Sequence, residues 1–133
     1  MKSKDLLKEA FKPRTKEKSV ASLFIDTDGT TYSYGLHYPL LFEVNGLKFR
    51  NTQGYSSTTG KHISYAGIYA DYDVKLTGSK RGKPTADYVL ECLKKEHEQL
   101  LAEEQNTKRK NTQKYEYLIS DIGKVQSAIK ALT

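Results

Sequence analysis

Two spaced runs of apolar residues near the end of the chain constrain its fold more than any other feature. Ala86, Leu90, Leu93, His97 and Leu100 recur at intervals of four and three, as do Tyr115, Leu118, Ile122, Val125, Ile129 and Leu132. Only a helix brings such positions onto one stripe, because it turns once in 3.6 residues. The spacing predicts helices over 85–105 and 111–132. Pro84 or Thr85 can open the first, with Asp87 in its first turn, and Asn111 or Thr112 can cap the second. The connection QNTKRKN is short, which implies an antiparallel helical hairpin with Lys108, Arg109 and Lys110 at its exposed tip. Sequence leaves open whether the two seams pair within one chain or between two, as in a homodimer.

Upstream the period is that of strands. SLFID (22–26) has strand composition, and Asp28-Gly29 reads as a two-residue hairpin turn before a second strand through TTYSYG. Tyr32 and Tyr34 would share a face of it. Pro39 cannot donate to a ladder and marks an edge or a break. LLFEV resumes strand, and Asn45-Gly46 is the second hairpin signal. LKFRN then returns with Leu47 and Phe49 on one face and Lys48 and Arg50 on the other. TQGYSSTTGKH reads as a long polar loop, and ISYAGIYADYDVKL as one or two further strands, with Tyr65 and Tyr69 sharing a face. TGSKRGKP is a basic boundary. The expected fold is α+β: a small, mostly antiparallel meander over 21–76 packed against the C-terminal hairpin, in one domain spanning 21–133. Residues 1–20 form a basic arm, with a short helix carrying Leu6, Leu7, Ala10 and Phe11 that must stop before Pro13, followed by RTKEKS as a solvated linker.

Composition bounds the class. One cysteine, Cys92, excludes an internal disulfide framework and fits a reducing compartment, by default the cytoplasm. There is no signal-like or membrane-length apolar run, so no membrane partner is expected. The net charge of +6 is clustered: residues 1–20 hold seven Lys or Arg against three acids, 75–84 hold four against none, and 106–133 hold six against two. Residues 85–105 carry two bases against six acids, so the basic groups stand apart from an acidic helix. Such clusters attract phosphates or acidic protein surfaces.

Catalytic signals are weak. His97 lies on a helical seam, where packing or a hydrogen bond accounts for it. His37 and His62 flank a tyrosine-rich region and could meet, but no spacing joins them to a carboxylate motif. Cys92 sits on the apolar side of a helix as a structural thiol. Asp26 and Asp28, with Glu43 or Asp71 and Asp73, could chelate Mg²⁺, which with His37 or His62 would make a small nuclease or nucleotide hydrolase. GSKRGK is not a phosphate-binding loop, since three residues rather than four separate its glycines and Pro84 follows Lys83. No cofactor is expected.

Recognition remains. Tyr32, Tyr34, Tyr38, Tyr55, Tyr65, Tyr69 and Tyr72 all precede the hairpin. Tyrosine either builds the core of a tryptophan-free sheet or presents rigid rings to a partner or a base. The segment Tyr34, Gly35, His37, Tyr38, Pro39, Leu40, then Asn51, Thr52, Tyr55, Ser56, Thr58, Thr59, Lys61 and His62, resembles an uncharacterised group of small bacteriophage and mobile-element proteins. The resemblance spans about thirty residues, stops short of the hairpin and brings no assigned activity. It implies a phage or plasmid accessory protein, one use of which is to inhibit a host defence nuclease as an anti-CRISPR protein does. Together these features favour a noncatalytic protein that binds nucleic acid or a nucleic-acid-handling protein. Lys80, Arg81, Lys83, Lys108, Arg109 and Lys110 would meet phosphates or acidic surfaces, and Tyr34, His37, Tyr38, Tyr55 and Lys61 would make the remaining contacts. A virion component assembling through the helical seams is a third reading.

Overall fold

Six strands pair in sequence order into one sheet: β1 (Lys18–Val20), β2 (Leu23–Ile25), β3 (Thr31–Ser33), β4 (Pro39–Val44), β5 (Leu47–Asn51) and β6 (Tyr72–Val74). The computed structural model describes residues 2–78 and 82–133. β1 to β5 are antiparallel neighbours and β6 lies parallel to β5. The helices are α1 (Ser3–Leu6), α2 (Ser57–Ala66), α3 (Ala86–Asn106) and α4 (Gln113–Leu132). The expected α+β architecture holds, with sheet and C-terminal hairpin in place.

Turn chemistry explains the meander. Asn45 and Gly46 both have positive φ, 51° and 80°, as a two-residue turn between Val44 and Leu47 demands. The Asp28-Gly29 turn differs from expectation. Gly29 has φ +89° and Asp28 is not left-handed, so a longer loop closes between Asp26 and Thr30. The N-terminal segment crosses this loop, with Phe11 N–H bonded to Gly29 O at 2.9 Å, and a Cβ on Gly29 would lie 2.6 Å from the Phe11 carbonyl carbon. Residues 18–20 pair with β2, so Lys18 and Ser19, expected in the solvated linker RTKEKS, belong to the sheet instead.

The region after β5 departs most from the strand reading. A parallel partner cannot be reached by a tight turn, and the crossover runs through α2, leaving only Tyr72–Val74 as strand. The expected polar loop is thus largely helix. Ser56 caps it by accepting the Thr59 N–H at 3.1 Å, and Thr59, His62 and Ala66 fall on its buried face. Tyr65 is helical and Tyr69 lies in the following 3₁₀ turn, so they share no strand face.

The sheet has a core on each side. Adjacent residues of β4 point to opposite faces. Phe42 belongs to a cluster with Phe49, Val74, Val89, Leu93, Val125 and Ala128 under the hairpin, whereas Leu41 belongs to one with Leu6, Leu7, Leu23, Ile25 and Ala66 under α1 and α2. The N-terminal helix is therefore part of the core. Thr85 and Thr112 cap α3 and α4, accepting from the Tyr88 and Tyr115 N–H groups, as their positions suggest. The two helices pack on each other within one chain, and none of residues 101–117 is buried, so the hairpin projects as a finger. Among the described residues no helix is long and apolar enough to cross a membrane.

Candidate functional site

The stretch from Ser33 to Pro39 makes a corner rather than a continuous strand. Ser33 N–H bonds to Tyr38 O and Tyr34 N–H to Ser22 O, at 3.0 and 2.8 Å. Between them Tyr34 and Gly35 are left-handed, with φ of 60° and 80°. A non-glycine residue held there costs on the order of 1–2 kcal/mol. The strain has a geometric result: Tyr34 leaves the ladder and points outward, 45% exposed, so it does not share a strand face with the buried Tyr32. His37 is exposed in the 3₁₀ turn Gly35–His37, and Tyr38 turns inward.

A second wall comes from the end of β5. Buried Asn51 accepts the N–H groups of Gln53 and Leu76 on one oxygen, at 3.0 and 3.2 Å, tying residues 51–53 to the chain after β6. Tyr38 donates its hydroxyl to the carbonyls of Asn51 and Gln53, and its burial pushes its pKa above the usual phenol value. Tyr38 thus holds the wall. Tyr55 packs on it, ring centres 5.6 Å apart, and lies 6.2 Å from the Tyr34 ring. Hydroxyls of Thr58, Ser22 and Ser56 around Tyr34 pull its pKa below the ordinary value.

The third wall is residues 76–78 with Tyr88 of α3. Gly78 N–H donates to the Tyr88 oxygen at 2.9 Å, and that hydroxyl donates back to Gly78 O at 2.7 Å. A Cβ at position 78 would stand 2.8 Å from the same oxygen, so glycine permits the approach. Gly82 N–H bonds to Leu36 O at 3.0 Å, fastening the chain before Lys83 to the corner. The three walls enclose a cavity of about 190 Å³ whose lining, among the described residues, contains no carboxylate. Tyr55, 62% exposed, stands at its mouth.

Behind the corner, Ser33 Oγ lies 2.9 Å from His62 Nδ1 and 3.0 Å from Thr59 Oγ1, all three residues being buried. Burial lowers the His62 pKa and keeps the ring neutral. This cluster fixes α2 against β3. Arg50 does the same at the other end of α2. Its Nε and Nη2 donate to the two Asp73 oxygens at 2.8 Å each, and its Nη1 donates to Ile63 O at 3.0 Å. Arg50 stands opposite Asp73 in the β5–β6 register, a pairing visible only once the parallel crossover is known.

The expected site residues therefore separate. His37, Tyr38 and Tyr55 line the cavity and Tyr34 stands beside it, while Lys61 is exposed on α2 and Lys83 is exposed beyond Gly82. Lys80 and Arg81 lie outside the described residues. Lys108, Arg109 and Lys110 lie at the hairpin tip, roughly 25–30 Å along α3 from Tyr88 at 1.5 Å per residue, so the basic clusters do not form one patch. Lys110 is paired with Glu104 at 3.5 Å, while Lys108 and Arg109 are exposed.

The residues weighed for catalysis have other partners. His62 is buried against Ser33, away from any bond to His37, and His97 accepts from Gln126 Nε2 at 3.3 Å across the hairpin. Cys92 is buried in the core. Asp26 and Asp28 accept the Thr27 and Thr30 N–H groups in their turn, and Asp73 holds Arg50. Among the described residues no three His, Cys, Asp or Glu side chains converge to hold a metal ion. Sequence reasoning misses Asn51, Gln53, Gly78 and Tyr88 as cavity residues. The Asn-Thr and Gly-Ser signals there look like ordinary loop composition until three segments meet.

No family model, curated protein or solved structure matches the chain.

Proposed function

We propose that the chain binds single-stranded nucleic acid without catalysing a reaction on it, stacking bases on Tyr34 and Tyr55 and meeting phosphates with Lys61 and Lys83. The observation that carries this reading is the pair of neighbouring exposed tyrosine rings, Tyr55 at the mouth of the cavity and Tyr34 beside it. Base stacking on an aromatic ring is worth about 1–3 kcal/mol, and every base has a face to offer. Tyr34 is fixed at the corner by its N–H bond to Ser22 O and Tyr55 packs on the buried Tyr38 ring, which lessens the ordering left for binding to do. Lys108 and Arg109 at the hairpin tip would act as a separate phosphate contact. The resemblance of residues 34–62 to phage and mobile-element proteins would set this binding in an infected bacterial cell, where it would serve to blunt a host defence nuclease in the manner of an anti-CRISPR protein.

Fluorescence anisotropy with a labelled 20-nucleotide strand over a series of salt concentrations tests this reading. Tyr55→Ala should weaken binding about tenfold while Tyr55→Phe, which keeps the ring, stays near wild type. Neutralising Lys108 and Arg109 should lower the slope of log K against log salt by about 0.7 for each phosphate no longer neutralised. Absence of binding at low salt overturns the proposal. A stoichiometric protein captured from bacterial lysate and resistant to nuclease would then identify a nucleic-acid-handling protein as the partner.

A further inference from the structure

We infer that the cavity beside Tyr55 receives one unstacked base of the bound strand and reads its edge. The inference rests on the single-strand reading above and adds a base-specific compartment to it.

Size is the first argument. At about 190 Å³ the cavity is smaller than the roughly 300–1,000 Å³ typical of pockets that enclose a whole drug-sized ligand. It suits one flat ring with the sugar and phosphate left outside. The walls agree, since Tyr38, Tyr55, Pro39 and Leu76 supply aromatic and apolar surface for a base plane.

The second argument separates engaged polar groups from free ones. The Tyr38 hydroxyl and the Asn51 Oδ1 are committed to holding the walls. Four other lining side chains, the Gln53 amide, the Thr77 and Tyr55 hydroxyls and the His37 imidazole, make no hydrogen bond among the described residues. An amide offers donors and an acceptor together, a hydroxyl offers one of each, and an imidazole adds its ring nitrogens, which matches the mixed edge of a base. Among the described residues the lining holds no lysine or arginine to pair with a phosphate.

Gly54 provides the test. It lines the cavity, its φ is not left-handed, and a Cβ built on it meets nothing within 4 Å, so Gly54→Leu fills space without forcing the backbone. Binding is measured for wild type, Gly54→Leu and Gln53→Ala with a 20-nucleotide oligothymidylate and with the same backbone made abasic. Amide spectra of the ¹⁵N-labelled protein are recorded alongside. For the base-bearing strand Gly54→Leu should weaken binding about tenfold and Gln53→Ala by less, while neither changes abasic binding more than about twofold. The Gln53 side-chain amide signals should move only with the base-bearing strand. If that strand binds but leaves those signals still, or Gly54→Leu affects both strands equally or neither, the base compartment is overturned and the single-strand reading stands. If neither strand binds wild type, both fail.

Discussion

The two faces of the sheet are held by different forces. Under the hairpin, Phe42 and Phe49 stack with ring centres 5.8 Å apart, and aliphatic side chains of α3, α4 and β6 close over them. Under α1 and α2, the buried leucines share their layer with Ser33, Thr59 and His62, and the Arg50–Asp73 pair closes its edge. Apolar contacts are nondirectional and add up with area, so the first face depends mainly on volume. A buried polar network depends on each partner being present, because the low dielectric that strengthens a made bond also raises the cost of an unmade one. Thr31 Oγ1, buried without a partner among the described residues, already marks that cost on the second face. The corner at Tyr34 continues from the polar side.

The largest effects should come from deletion of buried bulk on either face. Phe49→Ala should cost about 3–5 kcal/mol and Leu7→Ala about 2–5, read as shifts in urea denaturation. A negligible effect at Leu7 would make the N-terminal segment an appendage and leave the sheet with one core. A smaller loss is expected from Ser33→Ala, about 1–3 kcal/mol, because His62 Nδ1 and the Thr59 hydroxyl lose a buried partner. The loss should be accompanied by faster hydrogen exchange in α2 and not in α3. Uniform exchange across both helices would show that the two faces open as one unit.

The smallest effect is on pH. Burial holds the His62 pKa below the usual 6.5, so the unfolded chain takes up the proton first as pH falls. Its contribution to stability is whole above that value and is lost as pH drops through the folded pKa. Urea midpoints at pH 7.5 and 5.0 should differ more for wild type than for His62→Gln. Equal differences would remove His62 as the acid-sensitive element of this face.

Legibility in the sequence follows the same division. The hairpin is readable because seam positions three and four apart and a capping threonine are local signals, decided within a turn or two of helix. The Asn45-Gly46 turn is readable for the same reason, since two positive φ angles admit few residues. Residues 57–66 are not, because serine, threonine and glycine favour loops on propensity alone and only packing of Thr59, His62 and Ala66 against the sheet makes them helical. Tyr34 and Tyr55 are visible as tyrosines but not as exposed ones, and Tyr38 looks the same although it is buried.

Local chemistry in the chain dictates the α+β class, the helical hairpin with its caps, the basic tip and the aromatic corner, because each depends on side chains a few residues apart. Packing alone establishes that β6 runs parallel to β5, that Arg50 meets Asp73, that the N-terminal helix closes a second core, and that residues 37–39, 51, 53–55, 76–78 and 88 enclose one cavity. Those outcomes are long-range pairings. Their free energy comes from burial and hydrogen bonds made after loop-closure entropy has been overcome, and no local pattern records which distant partner wins.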